Sequence, residues 1–316
     1  MRVKLAIKLL VTALLLWMAF RAVDLSAIPP LLASFNPLWA AAALFLTLLI
    51  VVADGLLLVS VLRVFDQQAA LRTAMLYSLV GWFFSNVAPS TVGGDIFRGV
   101  QLSRAGIPVG TSVRAVLAIR LLSLSALVIV MLAGVPIALR VVEDRAGMML
   151  LGATLAAAIS ALFVLYSFPT LSRRISLVDR WRLLERLRTV SADFRQLISA
   201  GGRARTAWIE ATVQHLLRVG VLAALAAALG LGINLATLFA LTPAALLIAM
   251  VPISLGGWGV RELSFVYLLG TAGVDATAAL ALSVAFGLLR IVVGALGGLA
   301  WVIANDDHFR VAGPPA

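Results

Sequence analysis

Pro89-Ser90-Thr91-Val92-Gly93-Gly94-Asp95-Ile96-Phe97-Arg98 breaks an otherwise apolar run with a proline, two adjacent glycines and opposite charges. A second stretch, Pro252-Ile253-Ser254-Leu255-Gly256-Gly257-Trp258-Gly259-Val260-Arg261, aligns with it without a gap. Proline meets proline, Thr91 meets Ser254, the glycine pairs coincide, and Arg98 meets Arg261. The offset is constant at 163 positions (252 − 89 and 261 − 98), about half of the 316-residue chain. Such periodicity marks two copies of one structural unit. Both copies of the break fall where the chain is least suited to lipid.

Composition sets the surroundings of these breaks. The chain is 62% hydrophobic and 12% charged, with a mean hydropathy of +1.08. Ordinary soluble domains carry about 25% charged residues, so an integral membrane protein is implied. Several runs reach the roughly 20 apolar residues that a spanning helix needs, and alternating strand-like segments are absent. The expected fold class is an all-α polytopic membrane protein. Its formal charge of +11 is mostly arginine in loops, which points to topology and anionic lipid rather than nucleic acid. Without cysteine there is no disulfide, thiol catalysis or cysteine metal site. His215 and His308 are too few to build a metal cluster with the sparse carboxylates, and no phosphate-binding P-loop occurs. No catalytic residue, metal or cofactor is expected.

In chain order, a basic start (Arg2, Lys4, Lys8) leads into an apolar stretch from Leu5 to Phe20 with no small-residue cleavage site, read as a retained membrane helix. Spans are expected at 38–62, 113–139, 148–168, 208–229 and 276–303. The broken segments lie at 74–110 and 237–274, where Asp95 is the expected N-cap of one short helix and Val260 to Leu269 form the other. Within a single domain, 1–316, the repeats cover about 38–140 and 201–303. Each reads as a span, a broken re-entrant hairpin and a span. Between them, 169–206 is an arginine-rich linker whose Leu177, Trp181, Leu184, Leu187, Phe194, Leu197 and Ile198 recur at helical spacing. An amphipathic helix on the membrane surface is expected there.

Excess arginine and lysine belongs in the cytoplasm. Placing 1–4, 61–73 and 169–206 there requires each broken segment to enter and leave on one side, as a re-entrant hairpin or a pair of crossings, the first from the cytoplasm and the second from the opposite face. The repeats are then inverted, with both termini cytoplasmic. Discontinuous helices in matching positions of inverted repeats point to a transporter's midplane site. Substrate contacts are expected from Gly93, Gly94, Asp95, Arg98, Arg120, Gly256, Gly257, Arg261, Glu262 and Arg290. The glycines allow close backbone approach, free N–H groups at the helix starts favour anions, and the arginines add bidentate contacts. Asp54 and His215, inside spans, are candidates for a proton or ion pathway, each with a structural pairing role as its alternative. For the arginines the alternative is snorkelling to headgroups.

Asn86-Val87-Ala88-Pro89-Ser90-Thr91-Val92-Gly93-Gly94-Asp95-Ile96-Phe97-Arg98 and Pro252 to Glu262 resemble the paired signatures of the lysylphosphatidylglycerol synthase transmembrane-region family, also called flippase-like domain proteins. The resemblance covers nearly the whole chain. It implies a polytopic bacterial inner-membrane protein related to the lipid-flipping half of multiple-peptide-resistance enzymes. The synthase activity of those relatives belongs to a separate soluble aminoacyl-transferase domain, for which residues 1–316 leave no room.

The expected function is flippase-like transport of an anionic or zwitterionic (glyco)lipid between leaflets by alternating access. Membrane lipids with an anionic headgroup are the expected partners. The alternatives are a transporter of a small anionic solute, or a non-catalytic membrane subunit docking on lipid- or polysaccharide-synthesis enzymes; a homo-oligomer is compatible with each.

Overall fold

The computed structural model describes residues 2–21, 34–87, 92–172, 182–251, 253–254 and 256–303. These form eleven helices and no strand: α1 (Arg2–Arg21), α2 (Pro37–Val64), α3 (Leu71–Val87), α4 (Gly93–Arg104), α5 (Val109–Val141), α6 (Arg145–Ser172), α7 (Arg182–Ser199), α8 (Gly202–Ala228), α9 (Leu235–Ala249), α10 (Val260–Gly270) and α11 (Ala276–Ile303). Five are long and apolar enough to cross a bilayer, namely α2, α5, α6, α8 and α11. The chain is a multi-pass membrane protein.

Helix starts are set by local chemistry. Asn36 caps α2 through the Leu38 N–H with Pro37 in the first turn, and Asn234 caps α9 through the Ala236 N–H. The carboxylates of Asp144 and Asp275 accept from the first amides of α6 and α11. Asp95 does not cap α4. That helix begins two residues earlier, at Gly93, and Asp95 sits in its first turn with its carboxylate turned to side chains.

The broken segments are pairs of short helices. At 1.5 Å per residue, α3 and α4 extend about 25 and 18 Å, less than the ~30 Å hydrocarbon core. The pair folds side by side because glycine faces glycine. A Cβ on Gly94 would strike the Gly81 carbonyl oxygen and Ser85 Oγ. α9 and α10, of 15 and 11 residues, repeat the arrangement.

Helices α2 to α5 correspond in order to α8 to α11, and their packing corresponds too. α3 packs on α11 as α9 packs on α5, α4 lies on α5 as α10 lies on α11, and α5 meets α8 as α11 meets α2. At the centre α2 and α8 pack on each other. Their contacts run from Asn36 N–H to Ala228 O (2.8 Å) at one end to Ser60 Oγ and Glu210 Oε1 (3.0 Å) at the other, so the two corresponding helices are antiparallel. One matched pair of glycines serves the α3–α11 and α5–α9 seams. Gly297 faces the Leu79 backbone, and Gly134, 163 positions earlier, faces Ala240.

Part of the surface-helix expectation is corrected. In α7 the apolar residues Phe194 and Leu197 are buried against protein, Leu197 in the cluster with Leu62, Ala207 and Ala211, rather than facing lipid. Arg114 of α5 clamps this helix by a bidentate pair with the buried Asp193 (2.5–2.9 Å), and Arg195 reaches the Tyr166 carbonyl of α6 at 2.6 Å. Leu177 and Trp181 lie outside the described residues.

Candidate functional site

A cavity of about 280 Å³ lies between the two halves. Into it project Arg98 from α4, Arg120 from α5, Arg218 from α8, Arg261 from α10 and Arg290 from α11. No single helix holds more than one of these arginines. Their convergence is a property of the packing.

The first half holds its arginines in a chain of alternating charge. Asp54 of α2 accepts from Trp82 Nε1 at 2.7 Å and lies 3.8 Å from Arg98. Arg98 lies 3.6 Å from Asp95, which pairs in turn with Arg120. The Nε atom of Arg98 is buried with no hydrogen-bond partner, so its donor capacity is not exhausted.

The second half uses its glycines differently. Gly256, Gly257 and Gly259 all have positive φ (+59°, +80° and +84°) and form a turn before α10. The Glu262 carboxylate accepts from the Gly259 N–H (2.6 Å) and from Arg261 (2.5 and 3.0 Å), and Ser283 joins the group. The guanidinium of Arg261 is 4.5 Å from the Trp258 ring centroid, with Gly287 so close that a Cβ there would collide with Nη2.

From α8, Gln214, His215 and Arg218 share one helical face toward the cavity. His215 Nε2 donates to the Ser123 carbonyl at 2.8 Å, leaving Nδ1 to accept from Arg218 at 3.2 Å. That arrangement needs the neutral imidazole. Arg290 lies 5.9 Å from the Trp82 ring centroid. Neither Arg218 nor Arg290 has a carboxylate within ion-pair distance among the described residues. Counting Glu262 with Asp54 and Asp95, five guanidinium groups face three carboxylates, a formal excess of two positive charges. Unpaired charge at membrane depth is costly unless water or a counter-ion reaches it, so this balance of charge favours an anion in the cavity.

Of the residues expected from sequence, Asp54, Asp95, Arg98, Arg120, His215, Gly256, Gly257, Arg261 and Arg290 line the cavity. Three do not. Gly94 is a packing contact, Gly93 is half-buried beside it, and Glu262 is fully buried behind Arg261. Arg218, Gln214 and Trp82 also line it and were not singled out. The available signal for Arg218 was its spacing of three from His215 inside an apolar span.

Residues 5–298 match the family model described as the lysylphosphatidylglycerol synthase TM region, and the chain belongs to that family. No curated protein matches the chain closely enough to count as a relative.

Proposed function

We propose that this member of the lysylphosphatidylglycerol synthase TM-region family moves an anionic or zwitterionic lipid between leaflets, holding the headgroup in the arginine cavity and catalysing no reaction. The observation that carries this reading is the convergence of five arginines from both halves on one site with a cationic excess. A volume of about 280 Å³ is at the lower edge of small-ligand pockets, roughly 300 Å³. It accommodates a headgroup and excludes the tails.

On this reading the halves are inverted repeats related by an axis in the membrane plane. The antiparallel packing of the corresponding helices α2 and α8 supports it, since an axis along the membrane normal would leave them parallel. The short pairs α3–α4 and α9–α10 are then re-entrant hairpins from opposite faces, and rocking of one half against the other exposes the arginines to each leaflet in turn. The membrane is the bacterial inner membrane, with both termini and the arginine-rich region before α8 on the cytoplasmic side.

The test is leaflet exchange. Protein reconstituted into phosphatidylglycerol and phosphatidylethanolamine vesicles carrying a fluorescent phosphatidylglycerol is expected to make the inner-leaflet probe accessible to an impermeant quencher. Uptake of soluble glycerol phosphate without probe exchange would replace this reading with small-anion transport.

A further inference from the structure

We propose that the apolar groove between α4 and α5 seats an acyl chain of the lipid whose headgroup enters the arginine cavity, with the Asp95–Arg120 ion pair as the latch between them. This rests on the lipid reading above and assigns the tail a place that the cavity does not provide.

The groove has a volume of about 500 Å³ and is walled by Ile96, Val100, Val109, Val113 and Leu117, with Gly99 on its floor. Ile96 and Val109 are 62% and 66% exposed. Asp95 lines both this groove and the arginine cavity, so the two spaces meet at one side chain. An occupant that spans them has an apolar chain on one side of Asp95 and an anion on the other.

The second half supplies the comparison. At the position equivalent to Ile96 (259 − 163) stands Gly259, and there α1 packs directly on the start of α10. A Cβ on Gly259 would lie 2.5 Å from Leu15 Cβ and 3.2 Å from the Leu16 nitrogen. One of the two matching seats is therefore covered by an apolar helix of the chain itself. Its counterpart beside Ile96 is covered by no other helix among the described residues, and the apolar chains that a membrane protein has around it are lipid tails.

Asp95 is shared between Arg98 and Arg120. A lipid phosphate arriving along the groove can replace the Asp95 carboxylate on both guanidinium groups, so the headgroup itself opens the way. Release of the headgroup lets the Asp95–Arg120 pair re-form behind it.

Gly99→Leu tests the groove directly. A Cβ at Gly99 meets only Val116 Cγ2, at 3.9 Å, and leucine is the better helix former, so the side chain fills the groove while the fold is kept. The probe is phosphatidylglycerol with a photoactivatable diazirine in its acyl chain, in phosphatidylethanolamine vesicles, with cross-linked peptides mapped by mass spectrometry. In the wild type, cross-links are expected to concentrate on residues 92–117. In Gly99→Leu they are expected to fall about ten-fold, and leaflet exchange with them, while binding of soluble glycerol phosphate is unchanged. Cross-links spread evenly over the outer helices, a groove occupied by a second copy of the chain, or wild-type exchange in Gly99→Leu would overturn the groove and leave the lipid reading standing. No lipid exchange in the wild type overturns the lipid reading, and the groove's role with it.

Discussion

At the scale of single residues, the five arginines are held by unequal means. Arg261 is fixed from every side by Glu262, Ser283, Trp258 and the close approach of Gly287. Glu262 is completely buried and also caps the Gly259 N–H. Glu262→Gln removes the charge facing Arg261, and breaking a buried pair from one side costs about 3–5 kcal/mol. A matching fall in resistance to denaturation in detergent is expected, and unchanged stability would contradict the structural role given to Glu262. Asp54 is held more loosely, 3.8 Å from Arg98. Asp54→Asn keeps an acceptor for Trp82 Nε1 while raising the cationic excess by one. Soluble glycerol phosphate should then bind about ten-fold more tightly, ~1.4 kcal/mol, and with a steeper salt dependence. Weaker binding would mean that Asp54 contacts the ligand rather than opposing it.

At the scale of elements, the hairpins are built by glycine contacts, and the matched pair Gly134 and Gly297 allows a graded test. A Cβ on Gly297 meets the Leu79 carbonyl oxygen, which is backbone and cannot swing away. On Gly134 it meets Ala240 Cα at 3.1 Å and Phe239 O at 3.3 Å, a tight fit that small shifts relieve. Gly297→Ala should therefore destabilise the protein by about 1–3 kcal/mol, and Gly134→Ala by less; thermal unfolding in detergent reads the order, and equal effects would contradict the seam described. The elements themselves were largely legible in the sequence. Spans expected at 38–62 and 276–303 are Pro37–Val64 and Ala276–Ile303, and the short helix expected at 260–269 is Val260–Gly270. Long apolar runs punctuated by Asn, Pro and Gly leave little freedom in where a helix can stop. Which side of a helix faces inward was far less legible. α2 and α9 are apolar all round, so no polar stripe betrays the inner face. The two glycine pairs, identical in sequence, also serve different ends. Gly93 and Gly94 are helical residues in a tight helix pair, whereas Gly256 and Gly257 form a left-handed turn at the cavity wall.

At the scale of the whole molecule, two similar halves face one another across a site to which both contribute. Opposite orientation of the halves can be tested without background labelling, because the chain contains no cysteine. Gln68→Cys, in the loop between α2 and α3, and Ile233→Cys, in the loop between α8 and α9, should react with an impermeant maleimide from opposite sides of the membrane. Labelling from the same side would make the halves parallel. The central claim is that arginines from both halves act on one anionic headgroup, and leaflet exchange of fluorescent phosphatidylglycerol tests it most directly. Arg98→Ala and Arg261→Ala, made singly in reconstituted protein that remains folded, are each expected to slow exchange at least about ten-fold, the equivalent of one lost charge-assisted contact. Exchange at the wild-type rate in either variant would contradict the account.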